Sequence, residues 1–396
     1  MATRKKTPAG TTPANKAVSE ETATEAPREI GERDRITLQK ITDLAFSALA
    51  EVRRGKNPAL SIPVRALSNV SFDQEAGLIR LGESRQSRNF FHLKQAKLFM
   101  QTFLIAEHCK KLIEAGATTS IRDIYYGAKH SVAGTKENTF EEQAESDPII
   151  EDLEVTIDAL REELHLRAEN RGAMVGPMTI RDTGDTIDLR RMGSGGWSIP
   201  SIVEDNRIEF MKTEAEYILF IEKGAVWARL NEDRFWQKNN CMLLHGSGMA
   251  ARGTRRLLRR MHEELKLPLY VLTDNDPWGF YIYSVIKQGS INLAYESMRM
   301  AVPQARFLGL MSSDAEKFKL QANVSMALKD EDSARIEQLM RYDWFASKRW
   351  QEELALMKKT QKKYELEALS SRGIRFITEE YIPQKLRGRR GDSWLD

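Results

Sequence analysis

Four short apolar runs dominate the second half of the sequence. They lie at residues 217–221, 241–244, 269–273 and 307–311. Segments with the amphipathic period of helices, residues 253–265 and 278–287, stand between them. Strands that alternate with helices form a parallel sheet with helices packed on its faces. The sequence therefore predicts an α/β domain with a mainly parallel sheet.

The first half of the sequence predicts mainly helices. Residues 36–52 and 92–115 have a helical period, and Gly116 is a suitable helix stop. The elements expected to follow are a helix capped by residues 118–120, a polar loop at 134–146, a helix from Asp147-Pro148 to about residue 166, and a hairpin at 173–176. This order is typical of a winged helix-turn-helix, a fold that often occupies a DNA groove. Small strands are expected at residues 61–64 and 78–81.

Composition divides the chain into four predicted parts. Residues 1–33 are rich in Ala, Thr, Pro, Lys and Glu and predict a disordered tail. Residues 34–185 are assigned to the winged-helix domain, residues 186–205 to a linker rich in Gly, Ser, Thr and Asp, and residues 206–396 to the sheet domain with a C-terminal extension. The predicted fold class is multi-domain α/β.

Bulk composition excludes few function classes. The sequence has 396 residues, of which 41% are hydrophobic, and no stretch of about 18 apolar residues that would predict a membrane span. The N-terminal stretch lacks the apolar segment of a secretory signal, so a cytoplasmic protein is expected. The two cysteines are expected to be reduced core thiols. A net charge of +3 is too small to indicate nucleic-acid binding by itself.

Three carboxylates directly follow predicted strands. Glu222 closes one apolar run, and Asp274 and Asp276 close another. Ligand sites of parallel sheets gather at the carboxyl ends of the strands, so we expect these side chains to converge. Oxygen ligands without nearby Cys or His favour Mg²⁺. The alternative is that all three form turns, since Asp-Asn-Asp-Pro is good turn sequence.

A tyrosine on the third predicted helix is a candidate nucleophile. Tyr126 follows Arg122 by four residues, which places both on one helix face. A phenolate that attacks a DNA phosphodiester keeps the bond energy in a phosphotyrosine, and Arg122 would favour the phenolate or bind the phosphate. The alternative is a partly buried aromatic residue with a hydrogen-bonded hydroxyl.

A basic helix face is a candidate DNA contact. Its arginines have the spacing i, i+3, i+4, i+7, opposite a leucine stripe, and are Arg252, Arg255, Arg256 and Arg259. They suit contact with a phosphate backbone, and the alternative is an ordinary solvated face. The preceding loop, residues 245–248, has a short glycine pattern that weakly indicates a phosphate site.

Several separated motifs together resemble the A subunits of DNA topoisomerase VI, the family that includes the meiotic double-strand-break transesterase. The resemblance covers about residues 57–386. The motifs are Ile62-Pro63 with residues 69–73, residues 122–126, Glu222-Lys223 with Ala225-Val226, residues 267–279, Gly289-Ser290, residues 308–310 with Asp314, and residues 381–386. One departure is in residues 248–255, where a Gly followed by a Pro-Asp step is expected before the Thr-Arg of the basic helix.

The resemblance implies a fold and a set of roles. The N-terminal domain would be a winged helix of the catabolite-activator type, and the second domain a Toprim domain that binds Mg²⁺. The attacking residue would be Tyr126, with Tyr125 as a packing neighbour. The metal ligands would be Glu222, Asp274 and Asp276. The family joins its tyrosine to the 5′ end of cleaved double-stranded DNA.

The resemblance also implies partners. In this family two copies form a homodimer in which each lends its tyrosine to the carboxylates of the other. The sequence has no Gly-x-x-x-x-Gly-Lys-Ser/Thr signature, so ATP would be bound by the separate B subunit of topoisomerase VI in an A₂B₂ heterotetramer. The expected location is the nucleoid of an archaeal or bacterial cytoplasm, without membrane contact.

Three other functions remain open at this point. The nearest is a meiotic-type protein that breaks DNA without strand passage. Another is a Toprim nuclease in which the carboxylates activate water and Tyr126 is structural. The third is a DNA-binding regulator whose catalytic site has decayed.

Overall fold

The computed structural model describes residues 30–387. The predicted tail lies outside these residues up to position 29, and its last residues belong to the first helix. The N-terminal elements are α1 (Glu32–Arg53), β1 (Ala59–Pro63), β2 (Val70–Asp73), β3 (Leu78–Leu81), β4 (Arg85–Asn89), α2 (Leu93–Ala115), β5 (Thr119–Ser120), α3 (Ile121–Ala128), α4 (Ser146–Ile157) and β6 (Leu166–Arg167).

The helices α1 to α4 pack around one apolar core. Ile41 of α1, Ile105 and Cys109 of α2, Ile124 of α3 and Ile150 of α4 are buried in it. Burial raises the pKa of the Cys109 thiol, which therefore stays protonated. Both cysteines of the chain are free and buried, as predicted. The core fixes the position of the short helix α3.

Capping residues in the sequence correctly predicted two helix ends, and a third helix end was predicted wrongly. Gly116 ends α2 in a left-handed conformation with φ 61°, as predicted. Ser120 caps α3, also as predicted. The prediction that the next helix extends to about residue 166 is wrong, because α4 ends at Ile157 and Asp158 turns into the left-handed region with φ 47°.

The predicted small strands exist but do not pair with each other. β1 pairs with β4, and β3 pairs with β2, both antiparallel. The second pair is a hairpin whose turn lies between residues 73 and 78.

The middle of the chain is a β-rich segment rather than a hairpin wing followed by a linker. Its strands are β7 (Ala173–Val175), β8 (Met178–Asp182), β9 (Asp185–Asp188), β10 (Trp197–Ser198) and β11 (Ile208–Thr213). β8 lies between β9 and β11 in an antiparallel three-stranded sheet. β7 was predicted to be the wing, and β10 lies within the predicted linker at 186–205. Both instead join the large sheet of the C-terminal part, because buried Met174 and Val175 pair with residues 243–244 and β10 pairs with β7.

The C-terminal part has the predicted alternation of strands and helices. Its elements are β12 (Tyr217–Ile221), α5 (Gly224–Glu232), α6 (Phe235–Lys238), β13 (Cys241–His245), α7 (Arg252–Leu265), β14 (Leu269–Leu272), α8 (Pro277–Lys287), α9 (Ser297–Met300), β15 (Arg306–Gly309), α10 (Ser312–Lys317), β16 (Met326–Ala327), α11 (Asp330–Met340), α12 (Lys348–Thr360), β17 (Lys362–Lys363) and α13 (Ile382–Arg387).

The six-stranded sheet has the order β10-β7-β13-β12-β14-β15. β12 is parallel to both β13 and β14, and β14 is parallel to β15. Apolar cores lie on both faces of the sheet: Leu257 and Phe280 pack on one, and Trp227 and Tyr381 on the other. The mainly parallel sheet with helices on both faces confirms the predicted α/β fold class. It also brings the carboxyl ends of β12 and β14 side by side.

Within residues 30–387, no helix has the length and apolar character needed to span a membrane.

Candidate active site

The helix α3 presents one tyrosine to solvent and holds its neighbour in the core. The Ser120 hydroxyl accepts a hydrogen bond from the Asp123 backbone N–H at 3.0 Å, and the Asp123 carboxylate accepts one from the Ser120 N–H at 3.3 Å. This reciprocal capping box defines the first turn of the helix. Ile124 and Tyr125 then face the core, and Tyr126 is 66% exposed.

The two adjacent tyrosines differ in what their hydroxyls can do. The Tyr125 hydroxyl donates to the Glu141 carbonyl oxygen at 2.9 Å and lies 2.9 Å from the Lys129 ammonium. The hydrogen bond with Tyr125 raises the pKa of Lys129, so the ammonium stays charged. Tyr126 contacts the Tyr125 ring edge-on at 5.0 Å between centroids and leaves its hydroxyl accessible. Of the two, Tyr126 is the side chain available to a substrate.

Arg122 lies one helical turn before Tyr126, as its spacing predicted. Its side chain is exposed, and its Nε donates to the Gln143 side-chain oxygen at 3.2 Å. Gln143 belongs to the loop between α3 and α4. The guanidinium therefore has a neutral partner and keeps its charge available for an anion.

The three predicted carboxylates lie at the carboxyl ends of neighbouring parallel strands. Glu222 follows β12, and its backbone N–H donates to the Leu272 carbonyl of β14 at 2.9 Å. The Glu222 carboxylate accepts a hydrogen bond from the Asp274 backbone N–H at 3.1 Å. Asp276 caps α8 by accepting from the Gly279 N–H at 2.6 Å. The register of the sheet has therefore brought the residues to one edge.

Burial and mutual repulsion make these carboxylates weaker acids than usual. Burial, with the charge of Asp274, raises the pKa of Glu222 to about 7. Burial also raises the pKa of Asp274 to about 6, although the Leu366 N–H and Lys223 oppose the shift. Burial likewise raises the pKa of Asp276, against the Gly279 hydrogen bond. Keeping these carboxylates in their charged form therefore costs free energy. A bound cation would offset that cost.

Lys223 and a C-terminal segment around Leu366 contact these carboxylates, and the sequence alone assigned no role to either. The Lys223 ammonium lies 3.1 Å from an Asp274 carboxylate oxygen, and 3.2 and 2.9 Å from those of Glu365 and Glu367. The Leu366 backbone N–H donates to the other Asp274 oxygen at 2.8 Å. The only sequence signal for the Lys223 contact was its position directly after Glu222. No local pattern points to residues about 90 positions further along.

A hard divalent cation fits the donor set by its chemistry. All three side chains offer carboxylate oxygens, which are the ligands that Mg²⁺ prefers. In the part of the chain from residue 30 to 387, no three His, Cys, Asp or Glu side chains form a ready metal cluster. The reason is visible in the contacts above, since Glu222 and Asp276 accept from backbone N–H groups and Asp274 is held by Lys223 and Leu366. Binding a cation would require at least part of these contacts to be exchanged.

The loop after β13 lies beside the same edge. The Gly248 N–H donates to the Glu222 carbonyl at 3.0 Å, and Ser247 has a positive φ of 55°. The His245 ring contacts the Trp227 ring at 4.9 Å between centroids. The loop that weakly indicated a phosphate site is therefore adjacent to the carboxylates.

The arginines of α7 do not form the open basic face that was expected. Arg252 contacts Glu154 at 2.8 Å and Glu296 at 2.6 Å, and Arg255 contacts Glu296 at 2.6 Å. The other two are also engaged: Arg256 pairs with Glu204 at 2.8 Å, and Arg259 donates to the Ala301 carbonyl at 2.6 Å. The helical period is correct, but carboxylates and carbonyls of the same chain cover the arginines. The structure gives no support to a phosphate contact by this face.

Three family models match successive parts of the chain. A model described as "Type IIB DNA topoisomerase" matches residues 97–166. One described as "All-beta domain in DNA topoisomerase VI alpha subunit" matches residues 168–214, the β-rich middle segment. The third describes the Toprim domain shared by the topoisomerase 6 A subunit and Spo11, and it matches residues 217–386, which hold the parallel strands and the three carboxylates.

Three similar archaeal proteins are each named the A subunit of type 2 DNA topoisomerase 6. The chain is 42% identical over 360 residues to the protein of that name from Pyrococcus abyssi, covering 88% of this chain and 94% of that protein. It is 41% identical over 364 residues to the one from Hyperthermus butylicus, covering 88% and 93%. For Methanocaldococcus jannaschii the identity is 34% over 377 residues, covering 93% and 97%. Identity of this extent over nearly the whole length of each protein shows that the chain belongs to the family of topoisomerase 6 A subunits.

Proposed function

We propose that Tyr126 is the nucleophile with which this chain cleaves DNA. The chain is the DNA-cleaving and rejoining component of a type IIB topoisomerase, an isomerase, as the family matches and the named relatives show. The assignment of Tyr126 rests on the difference between the two neighbouring tyrosines of α3. The Tyr125 hydroxyl is bonded to Glu141 and Lys129, whereas Tyr126 is 66% exposed at the surface.

The reaction is a transesterification in which bonds are exchanged one for one. The Tyr126 oxygen forms a bond to a backbone phosphorus, and the bond from that phosphorus to the 3′ oxygen breaks. The phenol loses its proton and the departing 3′ oxygen gains one. The 5′ end remains attached to the protein, and attack by the 3′ hydroxyl reverses the reaction. Arg122, one turn away on the same helix face, stabilises the phenolate or the phosphate it attacks.

The carboxylates Glu222, Asp274 and Asp276 are proposed to hold Mg²⁺. Their oxygen donors and raised pKa values support this role. Bound there, the cation would stabilise negative charge on the phosphate and the departing oxygen. Lys223 keeps positive charge at Asp274 and orients its carboxylate. The adjacent loop at residues 245–248 is held next to Glu222 by the hydrogen bond from the Gly248 N–H to the Glu222 carbonyl.

The site is proposed to be completed by a second copy of the chain. Among the described residues, no hydrogen bond or ion pair joins Tyr126 to the three carboxylates. They belong to different parts of the chain, α3 on one side and the ends of β12 and β14 on the other. In a homodimer each copy would provide its tyrosine to the other copy's carboxylates, so two staggered cuts would open both strands of a duplex.

Strand passage is proposed to need the B subunit of topoisomerase VI. The sequence contains no ATP-binding signature of the Gly-x-x-x-x-Gly-Lys-Ser/Thr kind. ATP would therefore be bound by the B subunit in an A₂B₂ heterotetramer, which would relax or decatenate chromosomal DNA in the nucleoid. Relaxation of a supercoiled plasmid by the two proteins together with ATP separates this function from strand breakage without passage.

The nucleophile is tested by trapping the covalent adduct. End-labelled duplex is incubated with the chain, the B subunit, Mg²⁺ and nucleotide, then separated under denaturing conditions. Tyr126→Phe is expected to abolish label that migrates with the polypeptide and to leave DNA binding intact. Tyr125→Phe is the matched control and is expected to retain the adduct. Adduct in the Tyr126 variant, or cleaved ends without attached protein in the unaltered chain, would contradict the assignment.

A further inference from the structure

A solvent-accessible cleft separates the tyrosine helix from the C-terminal part of the chain. Its volume is about 430 Å³. It is lined by the first turn of α3, by residues 143 and 147 around the start of α4, by Arg167 at the end of β6 with residues 168, 169 and 171 after it, and by Ala251 before α7. Apart from Arg122, neither the family matches nor the sequence motifs assign a role to the residues of this cleft.

Three arginines line the cleft without forming ion pairs among the described residues, although the charge of Arg167 also acts on the Asp123 carboxylate. Arg122, Arg167 and Arg171 are all exposed. Within residues 30–387 none of them forms an ion pair, and Arg122 donates only to the neutral side chain of Gln143. The arginines of α7 are the opposite case, because each is engaged by carboxylates or carbonyls of the same chain. An unpaired cluster of guanidinium groups attracts an anion, and the planar fork of arginine matches the oxygens of a phosphate.

The cleft also contains two acidic side chains. Asp147 and Glu169 lie in its lining, and both are exposed. Three positive and two negative charges leave a net positive charge, which suits a single phosphate better than a highly charged ligand. The acidic pair also offers a way to increase the positive charge by mutation.

The cleft lies between the tyrosine and the loop beside the carboxylates. On one side, Arg122 precedes Tyr126 by one helical turn, a rise of roughly 6 Å. On the other side, the Arg171 carbonyl accepts a hydrogen bond from the Thr254 hydroxyl of α7 at 3.1 Å. Gly172 packs directly on the end of β13, since a Cβ atom there would lie 2.0 Å from the His245 carbonyl oxygen. Residues 167–172 thus connect the start of α3 to the end of β13 within one copy of the chain.

We propose that Arg167 and Arg171 bind a backbone phosphate of the DNA, next to the phosphate that Tyr126 attacks and that Arg122 serves. The proposal rests on the proposed function of Tyr126. At about 3.4 Å of rise per nucleotide, the roughly 6 Å along α3 between Tyr126 and the start of the cleft at Arg122 corresponds to one or two nucleotides. The contact fixes the register of the strand, so that the scissile phosphate faces the Tyr126 hydroxyl. Because it reads only the backbone, it adds affinity without sequence preference.

The salt dependence of DNA binding tests this site. The double variant Arg167→Gln, Arg171→Gln is made in the full chain with Tyr126→Phe, so that cleavage does not disturb the equilibrium. The two arginines contact one phosphate, and loss of one phosphate contact reduces the slope of log K against log salt by about 0.9, which is the decrease expected here. At about 0.15 M salt the same loss weakens binding roughly 5-fold.

A matched variant controls for the loss of charge alone. Arg53→Gln, Arg54→Gln removes two exposed arginines at the end of α1, which also form no ion pair within the described part of the chain. It is expected to keep the slope of the parent chain. Equal slopes for the two double variants would overturn the proposal. Glu169→Gln provides a test in the opposite direction and is expected to tighten binding, whereas unchanged or weaker binding counts against the cleft.

Failure of the site and failure of the nucleophile give different results. If the adduct forms normally and the slope does not change, the cleft binds no phosphate. If the slope decreases as expected but no adduct appears in the chain that retains Tyr126, the phosphate site stands and the nucleophile assignment is wrong. Thermal unfolding of each variant confirms that it is folded, which is expected because all the altered side chains are exposed.

Discussion

Arg252 is the centre of a buried ion cluster that joins the N-terminal helices to the sheet domain. Its guanidinium contacts Glu154 of α4 at 2.8 Å, Glu162 at 3.3 Å and Glu296 at 2.6 Å. The side chains of Glu154 and Glu296 are completely buried. Burial lowers the pKa of Arg252, but the three glutamates outweigh this and raise it. We predict that Arg252→Met destabilises the chain because it leaves buried carboxylates without their main partner.

The size of the effect follows from what remains after the substitution. Removing one partner of a buried ion pair costs about 3–5 kcal/mol. Glu154 keeps Arg161 at 3.2 Å and Glu296 keeps Arg255 at 2.6 Å, so the lower end of that range, about 3 kcal/mol, is expected. For a chain of this size the entropy of unfolding is roughly 0.75 kcal/mol per kelvin, which converts the loss to about 4 °C in Tm.

Thermal and denaturant unfolding measure this loss against a surface control. Lys348→Met removes one partner of the pair with Glu352, in which the side chains are 89% and 64% exposed, and less than about 0.5 kcal/mol is expected. Adding Glu154→Gln to Arg252→Met should recover part of the stability, because it removes one of the stranded charges. DNA binding by folded Arg252→Met should keep its salt slope. Equal stability of the two methionine variants would refute the reasoning, and a reduced salt slope would restore the arginine face as a DNA contact.

Two further predictions concern single residues of the site. Asp276→Asn is expected to retain the cap of α8, since Asn is as good an N-cap as Asp, with a change in unfolding free energy below about 0.5 kcal/mol. The covalent adduct should nevertheless fall more than about tenfold if Asp276 is a metal ligand, and unchanged adduct would show that its role is only to cap. Gly172→Ala should cost more than about 2 kcal/mol, because φ is 85° and the new Cβ would meet the His245 carbonyl. Gly184→Ala, with φ 101° and open space, measures the backbone strain alone, and an equal loss in both variants would show that the contact is unimportant.

The features that the sequence predicted correctly depend on local patterns. The Gly116 stop of α2 and the Ser120 cap of α3 are set by residues within one helical turn. The strands β12 and β14 are continuous apolar runs, and the carboxylates that follow them lie at one edge because parallel strands end there. Placing those three side chains required only the order of elements along the chain.

The features that were missed depend on distant residues. Val175 was assigned to a wing because nothing near it shows that it pairs with Leu243, 68 positions later. The arginine period of α7 indicates a polar face, but it cannot show whether water, DNA or Glu154 and Glu296 cover that face. The contact of Lys223 with Glu367 joins residues that are 144 positions apart.

The C-terminal segment returns to the loop that carries two of the carboxylates. Asn275 and Tyr364 exchange two backbone hydrogen bonds, of 2.8 and 3.0 Å, and the Leu366 N–H binds Asp274. These contacts tie the loop to a segment about 90 positions further along the chain. Local detachment of residues 364–366 would therefore release the Asp274 loop while the hydrogen bonds between β12 and β14 stay in place.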